Sequence, residues 1–137
     1  MTDSNKDLVL RFLAAAQQGD MATAASLLHP QAQVIEADSL PFGGVVTGFE
    51  GFTRLVRQVF TTFANTAVTI DETIAEGDTV VVLATMRGES KASGEVFSMP
   101  IAEIWRVRDG LVTEIRPFYQ DTQRINSLAG RTADSAT

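Results

Sequence analysis

Apolar residues in the first half of the chain recur with the 3.6-residue period of an α-helix. The first predicted helix begins after Ser4, a suitable N-cap, and ends at Gly19, and the second runs from Asp20 to Leu28. A third helix begins at Phe49 and has the clearest amphipathic repeat in the sequence, formed by Phe52, Leu55, Val56, Val59, Phe60 and Phe63.

After the third helix the period of the pattern changes to two, which is typical of strands. The pattern predicts four successive strands with short reversals, at 68–74, 79–87, 95–107 and 111–119. An earlier strand is predicted at 32–37. The glycine-rich residues 38–48 predict a loop at the rim of the molecule, and a helical segment is predicted near 121–128.

This order of elements predicts a single α+β domain that spans residues 1–137. Helices that precede an antiparallel meander are expected to cover one face of a curved sheet. A chain of 137 residues is long enough to form one such core. We expect the core to lie at about 5–122, followed by a terminal helical segment and tail at 123–137.

Two registers are open for the last hairpin, depending on the length of its loop. A two-residue turn pairs Glu103 with Arg116, whereas a three-residue loop pairs Glu103 with Ile115. The three-residue loop is favoured because it separates charged from apolar side chains, and a shift of one residue would exchange the two faces. It places Arg106, Glu114 and Arg116 on the outer face and Trp105, Val107, Leu111, Ile115 and Tyr119 on the inner face.

Glu103 is anomalous in this register because it is a carboxylate on an apolar face, between Ile101 and Trp105. Burial of a carboxylate is costly unless it is paired, so either its pKa rises or a partner lies opposite it. One interpretation is structural, with Glu103 bonded to a backbone group or to an arginine such as Arg87. The other is functional, because carboxyl groups with perturbed pKa values cluster in active-site clefts.

Composition excludes several classes of function. The chain has no cysteine and a single histidine, His29, which exclude disulfides, a thiol nucleophile and histidine-rich metal sites. A net charge of -6 without a basic cluster opposes nucleic-acid binding. No apolar run approaches the ~20 residues of a bilayer span, and the first residues do not resemble a secretion signal. We therefore expect a cytoplasmic protein without a metal, nucleotide cofactor, nucleic-acid partner or membrane partner.

Four segments of the chain form a recognisable pattern. They are Phe12 seven residues before Gly19-Asp20, residues 28–36, the loop 43–48 before the aromatic helix, and residues 105–110 before the final strand. Over residues 5–122 this pattern resembles the SnoaL-like and ketosteroid-isomerase-like members of the nuclear transport factor 2-like superfamily. The resemblance implies a cone-shaped, mostly antiparallel (mixed) sheet wrapped around about three N-terminal helices, with a hydrophobic cavity inside. This fold hosts several chemistries as well as non-catalytic binding modules.

The resemblance also implies a site with two carboxylates. Glu36 falls at the position of the general base, and Glu103 falls near the protonated aspartate that donates to the enolate oxygen. In the resulting hypothesis Glu36 takes a proton beside a carbonyl group and Glu103 donates to the developing oxyanion, since different environments drive their pKa values apart. Phe12 stands at the position of the oxyanion tyrosine and cannot donate a hydrogen bond, which argues against steroid isomerase activity itself.

Two further groups complete the set of candidate catalytic residues. Tyr119, predicted to point inward, contributes a further hydroxyl in one interpretation and is an aromatic core residue in the other. Asp38 can exchange roles with Glu36, because a strand places residues two apart on one face, or it is a solvated carboxylate at the start of the loop. The predicted substrate pocket is lined by Phe12, Phe52, Val56, Met86, Met99, Ile101, Trp105 and Ile115.

Two classes of function remain open. As an enzyme, the chain would catalyse a cofactor-free isomerisation or aldol-type cyclisation of a small hydrophobic carbonyl compound. As a binding module, it would hold a hydrophobic ligand or dimerise without turnover. Epoxide hydrolysis is less favoured, because Pro117 stands where that chemistry needs an aspartate. In both cases we expect a homodimer that uses the outer face of the sheet around Ala102 and Ile104.

Overall fold

The structure is a computed structural model in which residues 2–130 are described. The last part of the predicted terminal segment and tail, residues 131–137, lies outside these residues. The helices are α1 (Thr2–Gln18), α2 (Met21–Leu27), α3 (Gly48–Thr62) and α4 (Thr122–Leu128). The strands are β1 (Leu28–Glu36), β2 (Gly44–Thr47), β3 (Phe63–Glu76), β4 (Thr79–Ser90), β5 (Val96–Arg108) and β6 (Leu111–Tyr119).

The six strands form one open, mixed sheet in the order β2-β1-β6-β5-β4-β3. Four of the neighbouring pairs are antiparallel, and β1 runs parallel to β6. The sequence-based prediction of an α+β fold with a mixed sheet is therefore confirmed. The parallel pairing of β1 with β6 brings the residues of the candidate site together.

The first strand begins four residues earlier than predicted, directly after α2. His29 and Pro30 consequently lie in β1 and not at the end of a helix. The pairing of β1 with β6 is irregular between Leu28 and Gln33, where Pro30 has no N–H to donate. The predicted rim loop also contains a short strand, β2, which pairs with the end of β1.

The last hairpin does not have the three-residue loop that we favoured. Arg108 pairs with Leu111, which leaves Asp109 and Gly110 as a two-residue turn. Both turn residues have positive φ angles, 53° and 78°, as a type I′ turn requires. The favoured register was therefore wrong along the hairpin, since Glu103 pairs with Pro117 and not with Ile115.

A β-bulge restores the separation of the two faces beyond this turn. The register shifts by one residue between Arg106 and Val107 of β5, so that Trp105 pairs with Ile115. The extra residue lies in β6, and Val112 takes the inner position that the prediction gave to Leu111. The prediction that Trp105 and Ile115 lie on the inner face is confirmed, but a bulge and not a three-residue loop places them there.

The core lies between the helices and the inner face of the sheet. Phe12 of α1 contacts Phe52 of α3 edge-on, with ring centroids 5.2 Å apart. The same ring contacts Trp105 of β5 at 5.4 Å. This aromatic cluster ties both long helices to the middle of the sheet. Among the described residues, no helix has the length and apolar character needed to cross a membrane.

Candidate functional site

The sheet brings Glu36 and Glu103 to the two sides of one position in β6. Val34 of β1 pairs with Ile115, so Glu36, two residues further along the parallel pair, lies beside Pro117. Glu103 of β5 pairs with Pro117 from the other side. Because residues two apart in a strand share a face, both carboxylates lie on the inner face with Val34 and Ile115.

Glu36 is almost completely buried, with 5% of its surface exposed. One carboxyl oxygen, Oε2, lies 3.5 Å from the Tyr119 hydroxyl, and Oε1 makes no hydrogen bond within the described part of the chain. Burial raises the pKa of Glu36 from 4.5 to about 8, and the negative charge of Glu103 adds to the increase while Tyr119 opposes it. Glu36 is therefore largely protonated at neutral pH.

Glu103 is half-buried by surface area, yet protein encloses its carboxyl group closely enough for desolvation to dominate. Burial raises its pKa to about 7, and a hydrogen bond from Trp105 partly opposes that increase. The indole Nε1–H of Trp105 donates to Oε1 at 3.2 Å. Arg87 is exposed and lies on the outer face of β4. It therefore does not pair with Glu103, and that interpretation was wrong.

Tyr119 completes the cluster, as its predicted inward orientation implied. It lies two residues beyond Pro117 on β6, and its pKa is raised well above 10.0 by burial and by the charges of Glu36 and Glu103. Its hydroxyl consequently keeps its proton at physiological pH. The ring packs edge-on against Phe42, with centroids 6.1 Å apart.

Asp38 lies outside this cluster. It is exposed in the turn after β1, because the strand ends at Glu36 and its alternation of faces does not continue to residue 38. The structure thus brings together three of the four candidate catalytic residues.

The loop that carries Asp38 folds tightly against the molecule. Leu40 and Phe42 are buried, and the Leu40 N–H donates to the carbonyl of Ala37 at 3.1 Å. A Cβ atom on Gly43 would lie 2.3 Å from the Ala37 carbonyl oxygen, so only glycine fits there. The apolar pattern did not identify Phe42 as a neighbour of the site, although its isolation in a glycine-rich loop was a usable indication.

The predicted pocket-lining residues all lie on the core side of their elements. Phe12, Phe52, Met86, Met99, Ile101, Trp105 and Ile115 are buried, and Val56 is partly buried and packs against them. Met86 pairs with Met99 across β4 and β5. A surface depression of about 460 Å³ is lined by Phe42, the ring that packs against Tyr119, and by Arg54 and Arg57 of α3, and another of about 430 Å³ lies beside His29. Neither Glu36 nor Glu103 lines either depression. A cavity at the carboxylates therefore stays a prediction.

The site is suited to moving protons. The two carboxyl groups have pKa values near 7 and 8, and the charge of Glu103 acts on Glu36, so the pair can give up or regain a proton at neutral pH. Among residues 2–130, no group of three or more histidine, aspartate and glutamate side chains is arranged to hold a metal ion.

Comparison with known proteins agrees with this architecture. A family model described as the SnoaL-like domain matches residues 9–115. The chain belongs to the SnoaL-like family. No curated protein matches its sequence significantly.

Solved structures of SnoaL-like and related folds superimpose on most of the chain. A nuclear transport factor 2-like protein from Burkholderia thailandensis is 22% identical, with a TM-score of 0.84, and the match covers 96% of this chain and 99% of that one. A candidate SnoaL-like polyketide cyclase from a Jannaschia species is 22% identical with a TM-score of 0.81, covering 96% of both chains. A protein with a ketosteroid isomerase-like fold from Catenulispora acidiphila is 22% identical with a TM-score of 0.76, covering 93% and 95%. At these identities the likeness shows the fold alone.

Proposed function

We propose that this SnoaL-like chain is a cofactor-free acid–base catalyst that moves a proton on a small hydrophobic carbonyl compound, in an isomerisation or an aldol-type cyclisation. The observation that carries the proposal is the buried pair of Glu36 and Glu103, whose pKa values are raised to about 8 and about 7. A general acid or base works best when its pKa lies near the working pH.

The reaction needs one carboxyl group of the pair ionised and the other neutral. The ionised carboxylate removes a proton from the carbon beside the substrate carbonyl, and the electron pair of that C–H bond forms an enolate. The neutral carboxyl group stabilises the enolate oxygen by a hydrogen bond. In an isomerisation the proton returns to a different carbon. In a cyclisation the enolate carbon attacks a second carbonyl carbon, the π electrons of that C=O bond pass to its oxygen, and this oxygen takes up the proton.

The surroundings of the pair support this chemistry. Ile101, Trp105 and Ile115 are buried beside the carboxyl groups, and an apolar environment strengthens electrostatic interactions with a developing charge. Phe12 is buried among aromatic rings and offers no donor, whereas the Tyr119 hydroxyl lies beside Glu36 and can supply a second donor to the oxyanion. The likeness of the fold to a candidate polyketide cyclase favours the cyclisation arm of the proposal.

Exchange of protons for deuterons beside a carbonyl group tests the proposal without knowledge of the natural substrate. In D₂O near neutral pH, the native protein is expected to accelerate this exchange in tetralone or cyclohexenone, as followed by proton NMR. The double variant Glu36→Gln, Glu103→Gln removes both titratable groups, so the exchange rate should fall on the order of a hundredfold or more.

Glu76→Gln is the matched control, because Glu76 is an exposed glutamate at the end of β3. It should exchange at the native rate. A double variant that is as active as the native protein, or a native protein without activity on any of these ketones, would contradict the proposal.

A second candidate function, self-association, is favoured by the outer face of the sheet. Leu83, Ala102 and Phe118 lie in one row across β4, β5 and β6, and Phe118 is 51% exposed. Ile104 lies in the adjacent row, with Arg116 at its β6 end. We propose that a second copy of the chain covers this face, with or without turnover at the carboxylates.

In the proposed dimer, a two-fold axis would bring opposite charges on this face together. Glu72 is exposed at the β3 end of the row that contains Leu83, whereas Arg116 lies at the β6 end of the adjacent row. A two-fold axis through the middle of the face would bring the β3 end of one copy opposite the β6 end of the other. Opposite charges would then meet across the apolar centre.

A further inference from the structure

The two carboxyl groups of the site differ in the donors that reach them. Glu103 accepts a hydrogen bond from the Trp105 indole at 3.2 Å. Glu36 has a single polar contact, at 3.5 Å from the Tyr119 hydroxyl, and its Oε1 is buried without a hydrogen bond inside the described chain. The pair is therefore asymmetric before any substrate enters.

This asymmetry determines where a single negative charge is best placed. An N–H donor stabilises an ionised carboxylate and cannot accept a hydrogen bond from a protonated one. An ionised Glu36 would leave a charged oxygen buried with no donor, which is the costly arrangement. The contact with Tyr119 is at the outer limit of hydrogen-bond length and provides little compensation.

Among residues 2–130, no cation contributes to the pKa of either carboxyl group. The titratable groups that face Glu103 are Glu36 from β1 and Tyr119 from β6. From β4 the residue opposite is Val82, which is apolar. Arg116 is next to Pro117, the residue that pairs with Glu103, but it lies on the outer face of the sheet. There it pairs with Glu114 at 3.3 Å.

The indole donor is held in a fixed position. Trp105 is 2% exposed, and its ring lies against Phe12 at 5.4 Å while its strand pairs it with Ile115. A side chain locked in this way presents its N–H to Glu103 without further loss of rotamer freedom. Trp105 is thus a positioning residue as well as a core residue.

We propose that Trp105 fixes the roles of the pair, holding Glu103 as the ionised base that abstracts the substrate proton while Glu36 stays neutral and donates to the oxyanion. This inference rests on the proposed function, and it reverses the roles that the family resemblance implies for the two residues. It also gives the spacing of the two residues a chemical purpose, since Glu103 and Trp105 are two residues apart on one face of β5.

Because Trp105 is the single tryptophan of the sequence, its indole N–H can be replaced selectively to test this role. Growth with benzothienylalanine replaces the indole N–H of Trp105 by sulfur and keeps the shape of the ring. Carbon-13 titration of the glutamate carboxyl groups then reports Glu103 and Glu36 separately. Loss of the donor should raise the midpoint of Glu103 by on the order of half to one pH unit, while Glu36 changes less.

Trp105→Phe provides a second variant without the donor, and unchanged dispersion of the amide spectrum shows that either protein is folded. An unchanged or lowered midpoint for Glu103 in both variants would overturn the inference. So would a native protein in which Glu36 ionises before Glu103. These titrations use no substrate, so their outcome is independent of whether the ketone exchange assay succeeds.

Single glutamine variants give the catalytic readout of the same assignment. Glutamine imitates a protonated glutamate as a neutral hydrogen-bond donor, but it cannot serve as a base. In the exchange assay Glu103→Gln should therefore lose at least tenfold more rate than Glu36→Gln. An equal or larger loss in Glu36→Gln would contradict the assignment of Glu103 as the base.

Discussion

Glu103 shows how far a single residue can be predicted from its neighbours in the chain. The alternation of β5 identified a carboxylate on an apolar face, and its pKa is indeed raised by burial, to about 7. Its hydrogen-bond partner was not predicted, because the reach of the Trp105 indole depends on packing against Phe12 of a distant helix. Local periodicity determines on which face of the sheet a side chain lies, whereas its hydrogen-bond partners depend on the tertiary structure.

Glu36, in contrast, could not be identified from its neighbours in the chain. Nothing in the local pattern of β1 distinguishes it, and the family resemblance alone suggested its role. Its burial depends on tertiary contacts, because β1 pairs with β6 and Tyr119 of β6 lies beside it. The end of β1 at residue 36 excludes Asp38 from the cluster, which a continued alternation would have included.

At the scale of a single element, the last hairpin shows which features of paired strands can be predicted from sequence. The separation of charged from apolar side chains was a sound constraint, but it did not determine the loop length. A two-residue turn followed by a bulge satisfies the same constraint as a three-residue loop. Predictions of faces are therefore more secure than predictions of register when a strand can hold an extra residue.

The variant Asp109→Gly distinguishes the two turns in solution. Asp109 has a φ of 53° in the structure, a left-handed conformation that glycine adopts more readily than aspartate. Relief of that strain should offset the greater entropy of glycine in the unfolded chain, so the free energy of unfolding should stay equal or rise by up to about 1 kcal/mol.

Urea unfolding measures this change. A three-residue loop would place Asp109 in the right-handed region, and the same substitution would then cost about 0.5–1 kcal/mol. A loss of that size would contradict the two-residue turn. Gly110→Ala provides a comparison, because residue 110 has a positive φ in either geometry and the variant should be destabilised.

For the whole molecule, the order of elements was enough to predict an α+β fold with helices over a curved sheet. It was not enough to predict that β1 would insert beside β6 as a parallel neighbour. Such a contact joins residues about eighty positions apart, and no short-range pattern specifies it. That contact brings Glu36 to Glu103, so the composition of the site depended on the resemblance until the structure placed the strands.

Self-association belongs to the same scale, and two exposed phenylalanines allow a matched test. Phe118 lies on the proposed contact face of the sheet and is 51% exposed, while Phe60 lies on α3 and is 54% exposed. Analytical ultracentrifugation of the native 14.8 kDa chain should show a dimer. Phe118→Ser should shift it toward the monomer and Phe60→Ser should not. A native monomer at tens of micromolar would contradict the proposal.

The central claim is that Glu36 and Glu103 form a buried pair that exchanges protons near neutral pH. Carbon-13 NMR of the native protein, titrated from pH 4 to 10, measures both carboxyl groups directly. The structure predicts midpoints of about 7 for Glu103 and about 8 for Glu36, with each group sensing the ionisation of the other. Two independent midpoints near the ordinary value of about 4.3 would contradict the claim, because groups with such values are both ionised at neutral pH.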